Sequence, residues 1–192
     1  MNRRLMMVQT VNSENWDLNW NYKQGLLSNY LTAEIDGGAT ETITDKGLLL
    51  TAIDTGNDKS HAGFVLPTKT SNRAILEILF EIERFSDFDG FYMRLSQGTS
   101  GCAVFIQKEY LGVEYGGTAY GPVFMVKQNL SKNTNYLLRL EYDSQEGYKI
   151  TLDSQLIYQG KLFSNYYCTQ NMLRQQRGGR TYLKEVRFKH IA

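Results

Sequence analysis

Proline, cysteine and histidine are each present only twice in the 192 residues. A domain of this size can build a core without covalent staples, so two cysteines imply no disulfide framework. Cys102 and Cys168 leave two states open, one disulfide or two free thiols, and the usual burial of free cysteine favours the thiols. No CxxC occurs, and with only His61 and His190 available the chain lacks the clustered Cys and His ligands of a zinc site. An excess of either charge is missing too. Lys plus Arg is 21 against 20 for Asp plus Glu, a formal net charge of +1. That balance excludes a protein held on nucleic acid mainly by phosphate neutralisation. Long apolar runs are also lacking. The most apolar stretch, residues 74–85, carries Glu77, Glu81, Glu83 and Arg84, which excludes a membrane span. The first eight residues are basic but lack the apolar core of roughly 7–15 residues that a secretory signal needs, so a cytoplasmically made protein without a leader is expected.

The abundant residues point one way. Seventeen glycines accompany 13 Tyr, 9 Phe and 2 Trp, and the hydrophobic fraction of 42% suffices for a core. Trp16, Leu18, Trp20 and Tyr22 alternate with Asp17, Asn19 and Asn21, a period of two that predicts a strand and assigns both tryptophans to the core. Further β-like runs are expected at 30–35, 40–44, 48–53 and 63–66. Residues 73–85 combine good helix formers with alternation. Leu76, Ile78, Phe80 and Ile82 fall on one side and Glu77, Glu81 and Glu83 on the other, which favours a strand over the competing helix. Runs at 91–95, 102–108, 110–115, 123–127, 136–143, 148–152, 155–160 and 182–190 continue the series, whereas 163–179 is polar and irregular. No linker, repeat or charge block divides the chain, which predicts an extension over 1–13 and one domain over 14–192. About a dozen strands joined by hairpin-length turns imply two stacked antiparallel sheets, an all-β sandwich.

Residues 135–143, with Arg139, Glu141, Tyr142 and Asp143 in order, are followed by a strand and turn over 148–158 and a closing strand with Glu185, Val186, Arg187 and Phe188. This succession resembles the concanavalin A-like lectin/glucanase superfamily, and within it the laminin-G-like jelly rolls. The opening at 16–25 is similar to small structural proteins encoded by phages and prophages. Asp153-Ser154 stands where that pattern usually has Asp-Gly. The resemblance implies an antiparallel two-sheet jelly roll whose concave sheet holds sugars in lectin members, without fixing the function.

Three constellations carry possible chemistry. Glu141, Asp143 and Glu146 match the spacing of a glucanase catalytic strand, yet Asp143-Ser-Gln-Glu-Gly147 has the composition of a solvated hairpin turn, so no catalytic residue is assigned. The resemblance also implies a structural Ca²⁺ as an option near the first and last strands, with Asp17 and Glu185 as candidate ligands and Asp36 as a companion; otherwise Glu185 pairs with neighbouring cations and no cofactor is expected. For carbohydrate the candidates are Tyr92, Arg94, Gln107, Tyr115, Tyr120, Tyr166 and Tyr167, because aromatic rings stack on sugar C–H faces while polar groups bind hydroxyls. Arg174, Arg177 and Arg180 concentrate three guanidiniums in one glycine-containing stretch, read as a loop suited to an acidic glycan or phosphate, or simply to solvent or a neighbouring subunit.

The expectation is a non-enzymatic phage virion component with a lectin-like domain. Its expected partners are other virion proteins, host or mucosal glycans and further copies of itself, with no nucleic acid and no membrane insertion. A glycoside hydrolase and a purely structural assembly protein are the alternatives.

Overall fold

Among the described residues the period-two runs become fifteen strands in two antiparallel sheets. The computed structural model describes residues 15–54, 60–67, 71–87, 89–97, 100–118, 121–160 and 171–191. In chain order the strands are β1 Leu18–Asn21, β2 Thr32–Asp36, β3 Thr40–Ile43, β4 Leu48–Thr51, β5 His61–Val65, β6 Arg73–Arg84, β7 Asp89–Gln97 and β8 Ser100–Gln107. They continue as β9 Tyr110–Thr118, β10 Gly121–Asn129, β11 Asn135–Asp143, β12 Gly147–Leu152, β13 Gln155–Gly160, β14 Met172–Gln176 and β15 Arg180–Ile191. One sheet runs β13-β12-β11-β6-β15-β4-β3, with β1 also pairing with β15. The other runs β10-β9-β8-β7-β14-β5-β2. Together they form a two-sheet antiparallel sandwich.

The ambiguous segment is a strand. β6 lies between β11 and β15 at the middle of the eight-stranded sheet, and Leu76, Ile78, Phe80 and Ile82 point into the core as their spacing requires. Facing them from the seven-stranded sheet are Phe64, Phe91, Met93, Leu95, Val104, Ile106 and Leu173. The closing strand shows why its apolar residues, Leu183, Val186 and Phe188, miss a strict alternation. A β-bulge between Leu183 and Glu185 absorbs one residue, so all three reach the core. Gly47 lies against this bulge with φ +152, where a Cβ would come within 2.8 Å of the Leu183 carbonyl oxygen.

Two expectations are corrected. The stretch 163–179 contains β14, paired with β5 on one side and β7 on the other. Its sequence, Met-Leu-Arg-Gln-Gln, hides the strand because the inward Gln175 is polar. The Thr181 hydroxyl, donating to Gln175 Oε1 at 2.6 Å, makes that burial tolerable. Trp16 is the second. Trp20 is core, 1% exposed, with its indole N–H donating to the Gly25 carbonyl at 3.2 Å. Trp16 precedes β1 and lies outside the core under Lys189 and Arg187, whose charged groups are 4.9 and 5.6 Å from its ring centroid.

Candidate functional site

Each sheet has one face on the core and one facing away, and the two outward faces differ in chemistry. On the eight-stranded sheet the outward row of β6 is acidic and its neighbours are basic. Glu77 accepts a hydrogen bond from Arg139 Nη1 and pairs with Arg187 Nε at 3.3 Å. Glu81 takes Lys184 at 2.7 Å, and Glu83 takes Arg180 at 2.7 Å and the Tyr182 hydroxyl at 2.9 Å. Burial works against the charge of Arg139, but hydrogen bonds and the charges of Glu141 and Glu77 outweigh it and raise its pKa. This face is a ladder of mutually satisfied charges.

The outward face of the seven-stranded sheet is aromatic. Tyr92, Ala103, Phe105 and Met172 form a second buried cluster, separate from the core, with Val65 against it. Cross-strand register creates it: Tyr92 of β7 stands opposite Phe105 of β8 and Arg174 of β14, while Arg94 stands opposite Ala103 and Met172. The Tyr92 and Phe105 ring centroids are 5.3 Å apart, and the Arg94 guanidinium lies over the Tyr92 ring at 5.3 Å. The Tyr92 hydroxyl donates to Met172 Sδ at 3.3 Å and accepts from Arg174 Nη1 at 3.3 Å.

Among the sequence-predicted residues, Tyr92, Arg94 and Gln107 share this face. Tyr92 is only 4% exposed, so the polar surface offered above it is guanidinium rather than a bare phenol ring. Gln107 stands at the end of β8, where its Nε2 donates to the Asp87 carbonyl at 3.4 Å and its Oε1 accepts from the Tyr110 hydroxyl at 3.1 Å. Tyr115 falls in β9 with its backbone paired to Cys102 and Val123. Tyr120, Tyr166, Tyr167 and Cys168 lie outside the described residues. Sequence reasoning missed Phe105, Met172 and the true place of Arg174. Phe105 is embedded in the unbroken apolar run Val104-Phe105-Ile106, which gives no face assignment, and the other two belong to the strand read as irregular. The three arginines of that stretch are dispersed: Arg174 is on this aromatic face, Arg177 is in the turn with its carbonyl accepting from Ser86, and Arg180 is on the opposite sheet with Glu83.

The candidate metal ligands are not brought together. Asp17 Oδ2 accepts the backbone N–H of His190 at 2.7 Å and lies 2.8 Å from its Nδ1, whereas Glu185 pairs with Arg187 at 3.7 Å. Among the described residues no group of three or more His, Cys, Asp or Glu is arranged to hold a metal ion.

The Glu141, Asp143 and Glu146 set borders a cavity of about 160 Å³ that also touches Arg73 and Lys149. Each carboxylate has a structural position. Glu141 pairs with Arg139 at 2.7 Å. Asp143 accepts the backbone N–H groups of Gln145 and Glu146 at 2.8 and 3.1 Å and pairs with Arg73 at 3.3 Å, and these contacts, the backbone ones first, lower its pKa. Glu146 is at the exposed turn, as its composition predicts.

No family model matches this chain, and no curated protein matches it. Solved structures do. The receptor-binding domain of botulinum neurotoxin type G aligns with 93% of this chain at TM-score 0.57 and 12% identity; this chain spans 49% of its length. The carbohydrate recognition domain of Emp46p, in metal-free form, aligns over 88% of this chain and 92% of its own, with TM-score 0.59 and 12% identity. A conserved carbohydrate esterase from the Shiga toxin-encoding bacteriophage phi24B aligns over 93% of this chain and 99% of its own, with TM-score 0.64 and 10% identity. At these identities the likeness is one of fold: an all-β, lectin-like jelly-roll sandwich.

Proposed function

We propose that this chain is a non-enzymatic, lectin-like module of the concanavalin A-like type, carried on a phage particle and binding host or mucosal glycans through the outer face of its seven-stranded sheet. The observation that carries the reading is the Tyr92, Phe105 and Met172 cluster under Arg94 and Arg174. Guanidinium donors held in place over a buried aromatic floor suit a ligand with many hydroxyls. The solved carbohydrate recognition domain and the phage esterase share the fold and support this reading. The opposite face, with its charges already paired, has less to offer a ligand.

A glycan array probed with the full chain tests binding. Retention of at least one glycan class, lost in Arg94→Ala, is the expected result; no retention across a broad array overturns the glycan reading. Immunodetection on purified particles tests the virion role, and a chain absent from intact particles overturns it. The second reading is a carbohydrate-active enzyme, favoured by the phage esterase's fold. Hydrolysis and deacetylation assays on a polysaccharide panel are expected to give no turnover; turnover lost in Glu141→Gln would replace the non-enzymatic reading with this one. Self-association belongs to the proposal too. Strands β2 and β3 are sheet edges with Ile35 and Ile43 exposed, a surface suited to a second copy. Light scattering coupled to size exclusion is expected to show an oligomer that Ile35→Lys with Ile43→Lys dissociates.

A further inference from the structure

Arg174 occupies the middle of the aromatic face, between Gly63 of β5 and Tyr92 of β7. Its aliphatic stem lies across Gly63, where a Cβ would meet Arg174 Cγ at 3.2 Å. The absent side chain gives the stem its bed, and the guanidinium then reaches the Tyr92 hydroxyl at 3.3 Å. That hydroxyl is itself held by Met172, so the guanidinium is tied to a rigid buried ring.

Among the described residues its charge is unanswered. Among the described residues no carboxylate forms an ion pair with Arg174, although the outward arginines Arg139, Arg180 and Arg187 of the other sheet all have one. Glu34 shares its cross-strand row beyond Gly63 and makes no ion pair with it. A guanidinium carries five N–H donors in a fixed planar fork, and here a phenol oxygen takes one of them. Withdrawing such donors from water without a counter-charge is unfavourable, and a planar carboxylate restores the balance with two parallel hydrogen bonds.

We propose that Arg174 is the anchor for the carboxylate of an acidic sugar, a hexuronic or a sialic acid, at the glycan site of the preceding section. The inference rests on that glycan-binding reading and narrows it. Tyr92 fixes the fork, and the Tyr92, Phe105 and Met172 cluster gives it a rigid, water-poor floor.

The test uses the full chain and four oligosaccharide probes: one ending in a hexuronic acid, one ending in a sialic acid, and the carboxyl-reduced counterpart of each. One acidic probe is expected to bind roughly tenfold or more tightly than its reduced form, the size of a charge-assisted hydrogen-bonded contact. Arg174→Gln is expected to lower the acidic probe to the level of the reduced one. Arg174→Lys, which keeps the charge but not the fork, is expected to recover only part of the preference. Equal binding of acidic and reduced probes by the unaltered protein overturns the carboxylate anchor while the glycan reading stands, and this arm needs no variant to fold. A preference that survives in folded Arg174→Gln assigns the carboxylate elsewhere and also overturns it. No binding of any glycan, acidic or neutral, overturns both.

Discussion

The two outward faces of the sandwich are built from the same kind of strand and solve opposite problems. On the eight-stranded sheet, β6 presents each of Glu77, Glu81 and Glu83 to a cation on a neighbouring strand. On the seven-stranded sheet the corresponding positions hold Tyr92, Phe105 and Met172, and among the described residues no carboxylate forms an ion pair with Arg174. A near-neutral chain therefore does not have uniformly balanced surfaces. One face is electrostatically closed and gains stability from its own pairs; the other carries Arg174, which among the described residues has a phenol oxygen but no carboxylate for a partner.

The strongest way to break this contrast is Phe105→Ala. Phe105 is 6% exposed, although it points away from the core. Its truncation is expected to cost about 3 kcal/mol in urea denaturation, and to abolish glycan retention because Tyr92 loses its stacking partner. Full stability in that variant would mean that the second cluster has no structural weight. Next comes Glu77→Ala, which leaves Arg139 and Arg187 without their shared carboxylate. A loss of about 2 kcal/mol is expected, below that of a fully buried pair because these side chains keep some contact with water, and glycan binding should be unchanged. A binding defect there would show that the two faces are not independent.

Tyr182→Phe sharpens the contrast more gently, with an expected loss of about 1 kcal/mol at neutral pH from the missing hydrogen bond to Glu83. The folded phenol has its pKa raised, by burial first and then by Glu83. Its contribution is therefore complete below the unfolded phenol value and is lost as pH rises through the higher folded value. Denaturation between neutral and strongly alkaline pH should show a steeper decline for the unaltered protein than for Tyr182→Phe. Asp143→Asn should have the smallest effect, a slight loss at neutral pH that disappears in acid. Because backbone N–H donors and Arg73 lower the folded pKa of Asp143, its stabilisation is present above the unfolded carboxylate value and fades as pH falls through the folded one. The variant should lose a little stability at neutral pH, and the difference from the unaltered protein should vanish in acid, which flattens the acid limb of the stability curve.

Much of the sheet pattern is legible in the chain. Leu76, Ile78, Phe80 and Ile82 alternate with acidic residues strictly enough to override the helix preference of leucine and glutamate, and β6 is a strand. Asp153-Ser154 reads as a turn and is one, with both residues at positive φ, +49 and +69. Legibility fails where a side chain's role depends on another strand. Gln175 is an inward core residue only because Thr181 answers its amide, and Trp16 leaves the core because β1 begins two residues after it. The candidate site is half legible. Tyr92 and Arg94 are two apart in one alternating run, so a shared face follows from the sequence; Phe105 and Arg174 join them only through register with β8 and β14.

By itself the sequence determined the all-β class, the near-neutral charge, the central strand with its apolar and acidic sides, and the turn nature of the Asp143 to Gly147 stretch, because these follow from local periodicity and turn chemistry. Tertiary structure alone decided which arginines are paired. Arg139, Arg180 and Arg187 face the carboxylates of β6, while Arg174 was placed between a glycine and a tyrosine. The physical reason is that charge compensation is a property of neighbouring strands, and strand order is set by the burial of the core rather than by the charges themselves.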